Sequence, residues 1–331
     1  MASPRPIHIL VTGGAGYIGS HTAKVLLQRG YDVTVVDDLS RGHRHNVAPE
    51  RLRVMSTADT DGLTRLMTEK PVTAVVHFAA HSMVGESMAK PELYFENNVS
   101  GSLSLFTAMT RAGVRHLVFS SSAAVYGMPA SSPITEDFPL DPINPYGESK
   151  LMVEKMLRWF DSIHSLRSIC LRYFNAAGAD PDAELGEEHD PETHLIPLVL
   201  RAVKTGKPVT VFGDDYPTPD GSCIRDYIHV MDLAEAHIVA LESLIAGGTS
   251  DRFNVGTGEG HSVLEVIRAA EQVTGEKVPH AIGPRREGDP PALVADPGKL
   301  QRTLGWKPRY AKLSDIVATA WQFEKGQIGV K

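Results

Sequence analysis

The stretch Val11-Thr12-Gly13-Gly14-Ala15-Gly16-Tyr17-Ile18-Gly19-Ser20 decides the fold of this chain. It follows the apolar run 7–11 and precedes residues 21–27, whose apolar side chains recur at helical spacing, so its glycines are predicted to lie at a strand-to-helix turn. The glycines permit a tight bend, a close approach of a ligand to the backbone and close packing of the helix on the strand. Because a helix start also offers free N–H groups, this turn is predicted to bind a pyrophosphate.

An acidic residue after the second apolar run indicates the cofactor. Residues 33–36 form that run, and Asp37 follows Gly19 at close to the roughly 20 residues that separate a dinucleotide-binding loop from its ribose-binding acid. A carboxylate at this position accepts hydrogen bonds from the ribose hydroxyls and repels a 2′-phosphate. The pattern therefore predicts NAD.

Length and composition limit the class of protein. The 331 residues are enough for two medium-sized domains, and 42% hydrophobic with 22% charged residues is typical of a globular protein. A formal net charge of −7 creates no field that attracts nucleic acid or an anionic membrane. With two cysteines and no apolar run of spanning or signal-peptide type, we expect a cytoplasmic protein without nucleic-acid or membrane partners.

Short β-branched runs alternate with helical patterns through residue 174, which is typical of a doubly wound parallel sheet. We predict an α/β protein with a Rossmann-type NAD-binding domain over 1–174, completed by parts of 224–250, and a smaller mixed α/β substrate domain over 175–331. The predicted strands are 7–12, 32–37, 51–56, 72–77, 115–120, 168–172, 209–212, 224–229 and 252–255. The predicted helices are 16–29, 61–69, 91–111, 146–164, 195–205, 230–246, 262–274 and 314–325.

Tyr146 and Lys150 open a long predicted helix and share one of its faces, since they are four residues apart. An ammonium beside a phenol favours the phenolate form, which can remove a proton from a sugar hydroxyl. Tyr146 is therefore the predicted general base and acid. Lys150 is predicted to support Tyr146 and to hold the nicotinamide ribose.

Three motifs together resemble the extended short-chain dehydrogenase/reductase family: TGGAGYIG at 12–19, SSSAAVYG at 120–127 and YGESK at 146–150. Later segments resemble its nucleotide-sugar 4-epimerases: HFAAHSMVGES, RYFNAAGA, FGDDYPTPDGSCIRDYIHVMDLA and GPRREGD. The resemblance covers residues 7–321. It implies a Rossmann fold, NAD as cofactor, a UDP-sugar as substrate and a homodimer formed through helices 91–111 and 146–164.

The resemblance also implies the residues of both binding sites. On the cofactor side, Asp37 would bind the adenosine ribose and Asp59 the adenine amino group; on the substrate side, Ser122 would hydrogen-bond the reacting 4-oxygen beside Tyr146. The implied cofactor-binding residues are Gly13, Gly16, Tyr17, Ile18, Gly19, Asp37, Asp59, Phe78, Ala79, Asn97, Lys150 and Tyr173. The implied substrate-binding residues are Ser122, Tyr146, Asn175, His194, Leu195, Arg225, Tyr227, Arg286, Asp289 and Leu293. The arginines suit the UDP phosphates, because their planar donors match phosphate oxygens.

The implied activity is interconversion of UDP-galactose and UDP-glucose through a transient 4-keto sugar. A 4,6-dehydratase or a decarboxylase should carry an acid after the strand-end serine, where this chain has Ala123 and Ala124. Epimerases of UDP-N-acetylhexosamines or UDP-pentoses remain alternatives. A non-catalytic NAD-sensing protein would be expected to lack Tyr146 or Lys150.

Three positions depart from the family pattern. Ser82 replaces a lysine of some members, His194 stands where an asparagine often contacts the nucleotide, and Leu293 replaces a sugar-facing tyrosine. Because leucine is shorter and has no polar end, we expect a pocket that admits an N-acetyl group. His189, Asp190 and His194 lie in a loop without cysteine partners or a helical repeat, so no metal site is expected.

Overall fold

The computed structural model describes residues 7–286 and 288–326. They form two compact units that alternate along the chain. Unit 1 consists of the described residues up to Gly127 together with Pro142–Arg172 and Ala234–Phe253, and unit 2 of Met128–Asp141, Tyr173–Leu233 and the described residues from Asn254 onward. Within these ranges, no helix combines the length and the apolar character needed to cross a membrane.

The elements are numbered here in chain order. The strands are β1 His8–Thr12, β2 Asp32–Asp37, β3 Leu52–Val54, β4 Ala74–His77, β5 His116–Ser120, β6 Arg167–Tyr173, β7 Asn175–Ala177, β8 Val209–Phe212, β9 Ile224–His229, β10 Asp251–Val255, β11 Gly260–Ser262, β12 His280–Gly283 and β13 Ala292–Leu293. The helices are α1 Tyr17–Gln28, α2 Thr60–Glu69, α3 Val84–Ala89, α4 Pro91–Tyr94, α5 Gly101–Ala112, α6 Pro145–His164, α7 Leu195–Thr205, α8 Val230–Ile245, α9 Val263–Thr274, α10 Gly298–Leu304 and α11 Leu313–Gly326.

A seven-stranded sheet in the order β10-β6-β5-β4-β1-β2-β3 is the basis of unit 1. The pairs from β6 through β3 are parallel. The order reverses at β1, which lies between β4 and β2, and this reversal is the topological switch point at which Rossmann folds bind dinucleotides. The predicted doubly wound, Rossmann-type fold is confirmed.

The sheet is buried because its strands carry continuous apolar runs rather than alternating ones. All five residues of β1 are buried, and Val11 lies in register with Val35 on one side and Val76 on the other. One face is covered by α2, α5 and α6, whose side chains Leu63 and Phe106 are fully buried with the strand residues. Burial of a side chain of this size contributes about 1.5–3 kcal/mol.

The predicted helix 91–111 is present over residues 91–112, but it contains a π-helical segment that was not predicted. Helix α4 ends at Tyr94, a π-helical turn follows over Phe95–Ser100, and α5 begins at Gly101. The amide side chain of Asn98 in this turn accepts a hydrogen bond from the His81 N–H at 2.8 Å and donates to the His81 carbonyl and Ser149 Oγ, both at 3.0 Å. These bonds hold an irregular turn that apolar periodicity does not reveal.

The core of unit 2 lies between β9 and the helices α7, α9 and α11, with Val199, Val266 and Val317 at its centre. Strand β9 pairs with β7, β11 and β13, and β8 pairs with β12. The other predicted helices and strands lie within a few residues of the observed ones, whereas α3, α10, β7, β11, β12 and β13 were not predicted. These elements have at most seven residues, too few to show a period.

Candidate active site

At two positions of the glycine loop between β1 and α1, a side chain would collide with backbone atoms. Gly13 has φ +71°, and a Cβ there would lie 2.4 Å from the Ala79 amide nitrogen. A Cβ on Gly19 would lie 2.3 Å from the Gly13 carbonyl oxygen. Both distances are below van der Waals contact, so only glycine permits this close approach of the loop to β4 and of α1 to the loop.

Gly16 shows the opposite environment. Among the described residues, a Cβ on Gly16 would meet the Gly13 carbonyl oxygen alone, at 3.5 Å, so this side of the loop is open. Gly16 is also the N-cap residue of the 12-residue helix α1, which begins at Tyr17 and receives no hydrogen bond from a capping side chain. The open backbone and the uncapped N–H groups fit a pyrophosphate, which they can bind directly.

Asp37 ends β2 beside this loop. Its side chain is 7% exposed, and its carboxylate accepts hydrogen bonds from the Ala15 N–H at 2.9 Å and the Leu39 N–H at 2.8 Å. Burial raises the pKa of Asp37, while the two N–H groups oppose that change. The carboxylate is therefore fixed next to the glycine loop, as its predicted contact with ribose requires.

Asp59 has a structural role that the sequence analysis did not include. It is the exposed N-cap residue of α2, and its carboxylate accepts a hydrogen bond from the Gly62 N–H at 2.8 Å. A capping carboxylate of this kind stabilises a helix by about 1 kcal/mol. Its contact with adenine stays a prediction.

Phe78 and Ala79 follow β4 and are held against the end of β1. Their N–H groups donate to the Thr12 carbonyl oxygen at 2.8 and 3.1 Å, and the Phe78 ring centroid lies 4.6 Å from that of His237. Asn97 lies in the π-helical turn, where its amide donates to the Asn98 side chain at 3.0 Å. The structure thus brings Phe78 and Ala79 to the glycine loop at the carboxyl edge of the sheet.

Tyr146 and Lys150 are both buried in the first turns of α6. Their side chains are 7% and 3% exposed, and the Lys150 Nζ lies 5.8 Å from the Tyr146 ring centroid. Lys150 Nζ donates to the Ser120 carbonyl oxygen at 2.8 Å, which connects α6 to the end of β5. Burial lowers the pKa of Lys150 to about 7, and the Glu154 carboxylate opposes that change.

Ser122 lies two residues beyond the end of β5 at Ser120, whose carbonyl oxygen binds Lys150. It is 8% exposed and caps the short 3-10 turn Ala123–Tyr126, with its Oγ accepting from the Ala124 N–H at 3.1 Å. The start of α6 is packed on this turn, since a Cβ on Gly147 would lie 2.5 Å from the Ala124 carbonyl oxygen. The structure therefore brings the element carrying Ser122 to the first turn of the helix carrying Tyr146.

Two residues that position Tyr146 were missed by the sequence analysis. Asn144 caps α6 by accepting a hydrogen bond from the Gly147 N–H at 2.8 Å, and Pro145 occupies the first helical position. The N-P-Y-G sequence was a readable signal for this start, because asparagine is a preferred N-cap and proline is favoured at the first position. Gly147 itself had no such signal, since its need for close packing is visible only in three dimensions.

Several predicted substrate residues of unit 2 lie on β9 or on the two strands that pair with it in parallel, β13 and β7. Parallel pairing sets Leu293 of β13 beside Arg225, and Asn175 of β7 beside Tyr227. Arg225 donates to the Ile224 and Pro290 carbonyl oxygens at 2.8 and 2.9 Å, and lies 3.3 Å from the Asp289 carboxylate. Tyr227 is 4% exposed, and burial raises its pKa.

Two further predicted residues lie at the ends of elements, and a third, Arg286, follows β12. Tyr173 is the last residue of β6, and Leu195 is the first residue of α7, where it packs against the core of unit 2. The guanidinium carbon of Arg286 lies 3.9 Å from the ring centroid of Phe212, so the arginine is stacked on an aromatic face. This stacking is a cation–π contact, which restricts the orientation of the guanidinium plane.

His194 precedes α7 and is held by two buried glutamates. Its Nδ1 lies 2.7 Å from Glu187 and 3.2 Å from Glu192, whose side chains are 6% and 1% exposed. Burial disfavours the charged imidazole, but Glu187 raises the pKa of His194 to about 10. The Glu192 carboxylate also accepts hydrogen bonds from the N–H groups of Thr193 and His194. These bonds fix the loop before α7 around the protonated His194 imidazole.

His189 joins the same cluster, with its Nδ1 3.1 Å from Glu187. The sequence analysis weighed His189 and His194 with Asp190 as metal ligands, whereas the structure groups the two histidines with Glu187 and Glu192, whose ligand atoms lie within 4.8 Å of one another. The short nitrogen-to-oxygen distances are those of hydrogen-bonded ion pairs. The absence of a metal site stays a prediction.

Comparison with known proteins identifies the family of this chain. Residues 9–256 match the NAD dependent epimerase/dehydratase family, and the chain belongs to it. The chain is similar to the UDP-glucose 4-epimerase of Lactobacillus helveticus, with 50% identity over 319 residues that cover 96% of this chain and 97% of that protein.

Two solved structures extend this comparison. The chain is similar to the UDP-glucose 4-epimerase from Brucella ovis in complex with NAD, with a TM-score of 0.93 and 47% identity over 96% of this chain and 98% of the other. It is also similar to the enzyme of that name from Stenotrophomonas maltophila with bound NAD and formylated UDP-arabinopyranose, with a TM-score of 0.95 and 42% identity over 98% of this chain and 100% of the other. The predicted family membership is confirmed.

Proposed function

We propose that the protein is an NAD-dependent 4-epimerase that interconverts UDP-galactose and UDP-glucose. The observation that carries the proposal is the buried pair of Tyr146 and Lys150, which the Lys150 contact to Ser120 ties to the strand end before Ser122. The near-full-length similarity to UDP-glucose 4-epimerases supports the same activity. A non-catalytic NAD-sensing protein has no need of a buried lysine beside a tyrosine.

Unit 1 is proposed to bind the cofactor through backbone N–H groups and side chains at the carboxyl edge of its sheet. The N–H groups at the start of α1 bind the pyrophosphate, because Gly16 leaves the loop open there. Asp37 accepts hydrogen bonds from the adenosine ribose, and Phe78 and Ala79 flank the nicotinamide half. When bound, NAD supplies the acceptor and the donor of hydride for carbon 4 of the sugar.

The proton is proposed to move through Tyr146. Lys150 stabilises the Tyr146 phenolate, which removes the proton of the 4-hydroxyl group while the Ser122 hydroxyl hydrogen-bonds the 4-oxygen. The resulting 4-keto sugar must present its opposite face before Tyr146 returns the proton, since C4 is inverted. The Ser120 carbonyl oxygen keeps the Lys150 ammonium in place throughout.

Unit 2 is proposed to bind the nucleotide sugar. Arg225 and Arg286 are the phosphate ligands, because each has a guanidinium held by carbonyl oxygens or by an aromatic ring. The remaining proposed ligands in unit 2 are Asn175, His194, Leu195, Tyr227, Asp289 and Leu293. Firm contacts to UDP with fewer contacts to the sugar would let the 4-keto ring turn over without release.

The protein is further proposed to be a cytoplasmic homodimer. Trp159 and Ile163 of α6 are 60% and 67% exposed, and Leu103 of α5 is 45% exposed. Met152, Trp159 and Ile163 share one face of α6, since they are seven and four residues apart, and we propose that a second copy covers this apolar patch. Both cysteines, Cys170 and Cys223, are free and buried, which fits a reducing compartment.

The direct test is turnover of purified protein with UDP-galactose, without added NAD, followed by separation of the product sugars. We expect an equilibrium mixture with UDP-glucose and no net reduction of cofactor. A parallel panel of UDP-N-acetylgalactosamine and a UDP-pentose separates the main activity from the two related epimerase activities. Release of a dehydrated or decarboxylated product, or turnover of a UDP-pentose alone, would contradict the proposal.

A further inference from the structure

A buried ion pair that the proposed mechanism does not use lies on the same helix as Lys150. Arg172 of β6 is 1% exposed, and the Glu154 side chain of α6 is 9% exposed. The Arg172 Nε and a terminal nitrogen donate to the two Glu154 carboxylate oxygens at 3.0 and 2.6 Å. This bidentate geometry is the strongest and most directional form of ion pair between side chains.

Both members of this ion pair also form hydrogen bonds to residues on either side of Ser122. The Ser121 Oγ donates to Glu154 at 2.6 Å, and the second terminal nitrogen of Arg172 donates to the Tyr126 hydroxyl at 2.9 Å. Ser121 precedes Ser122, and Tyr126 ends the 3-10 turn that Ser122 caps. One hydrogen-bonded network therefore joins the Ser122 turn, α6 and β6.

Glu154 also lies one helical turn after Lys150, and its charge acts on the ammonium. The hydrogen-bond partner of Lys150 Nζ is a neutral carbonyl oxygen, whereas the Glu154 carboxylate raises the pKa of Lys150 against the effect of burial. Other titratable groups near Lys150 are Tyr146 on its own helix and His77 of β4, whose pKa burial lowers to about 3, so that it is neutral. The cation of Arg172 is paired with Glu154.

We propose that Glu154 is a positioning residue for the epimerase reaction: bound by Arg172, it holds the Ser122 turn to the helix of Tyr146, and its carboxylate, one helical turn from Lys150, is a counter-charge that Lys150 shares with Arg172. This inference rests on the proposed function. Glu154 acts through Ser121 and Lys150 and needs no contact with the sugar or the cofactor.

The test is Glu154→Gln, which keeps the shape and removes the charge. We expect kcat for UDP-galactose to fall about 10- to 100-fold, the scale of a misplaced catalytic group, with KM little changed. The alkaline limb of the kcat profile should move to lower pH by about 1 unit, because an adjacent carboxylate holds a lysine proton to higher pH. Asp161→Asn, which removes one negative charge further along the same helix, should change neither quantity.

A double variant, Glu154→Gln with Arg172→Met, covers the case in which an unpaired buried arginine prevents folding. We expect it to fold and to show a smaller displacement of the alkaline limb in the same direction, because the loss of the Arg172 cation offsets part of the loss of the Glu154 charge. Thermal unfolding against pH gives a readout independent of activity. The pKa of Lys150 is lower in the folded protein than its ordinary value, so the unfolded chain stays protonated at Lys150 to higher pH. The free energy of unfolding of the wild type therefore increases through this group as pH rises above about 7. In both variants this gain should begin at lower pH.

An equal loss of activity at every pH, or a profile like that of Asp161→Asn, would overturn the inference. Failure of the proposed function has a different signature. In that case Tyr146→Phe would keep near-wild-type turnover, or UDP-galactose would not be converted at all. A dead Tyr146→Phe variant beside an unperturbed Glu154→Gln variant would reject only the role of Glu154.

Discussion

The close approach of the glycine loop to the strand end β4 can be measured with Gly13→Ala. Alanine in the left-handed conformation of Gly13, φ +71°, costs about 1–2 kcal/mol. Its Cβ would also lie 2.4 Å from the Ala79 nitrogen and 2.6 Å from the Ala79 Cα, both backbone atoms. Forcing the two segments apart adds about 1–3 kcal/mol, for a loss of about 2–5 kcal/mol in the free energy of unfolding.

Gly113→Ala is the matched control. Gly113 has φ +78°, but no described atom lies within 4 Å of a Cβ built there, so its loss should be the conformational part alone, about 1–2 kcal/mol. Urea unfolding followed by circular dichroism gives both losses, and acid release of NAD gives the cofactor bound per chain. We expect Gly13→Ala to be the less stable variant and to bind much less NAD. Equal stability of the two variants, with full NAD in both, would refute the reasoning.

Three further predictions concern the cofactor, the sugar and the assembly. Denatured wild-type protein should release NAD and little NADP, because a 2′-phosphate beside the Asp37 carboxylate is repelled; stoichiometric NADP would contradict the assignment. The wild type should epimerise UDP-N-acetylgalactosamine more weakly than UDP-galactose, and Leu293→Tyr should suppress the N-acetyl activity selectively, by about 10- to 200-fold; equal loss of both activities would leave Leu293 a packing residue. Trp159→Glu should convert a dimer to monomers in sedimentation velocity, and an unchanged assembly would exclude this patch as the interface.

Regular elements with strong local patterns were predictable from the sequence. Two features at the switch point of the sheet were predictable because each depends only on local sequence. They are the apolar run 33–36 followed by Asp37, and the glycines between β1 and α1. The helix start at Pro145 was also within reach, since its asparagine cap and proline are adjacent in sequence. Tyr146 and Lys150 were found for the same reason, because their spacing of four fixes a common helix face.

Features set by contacts between distant residues were not predictable. The π-helical turn Phe95–Ser100 depends on bonds from Asn98 to His81 and Ser149, and nothing in the local sequence reports them. The pairing of His194 with Glu187 and Glu192 arises from the path of a loop that has no period. Single residues of this kind acquire their role only when the fold is formed.

The most direct test of the proposed mechanism is the turnover of UDP-galactose by Tyr146→Phe. Tyr31→Phe is its control, because it removes a hydroxyl that contacts Glu242 at 3.0 Å in another part of unit 1. We predict that Tyr146→Phe keeps its NAD and its unfolding temperature but loses about 100-fold or more in kcat, while Tyr31→Phe stays close to wild type. Near-wild-type kcat in a folded, NAD-loaded Tyr146→Phe protein would contradict the central claim that this phenol transfers the proton.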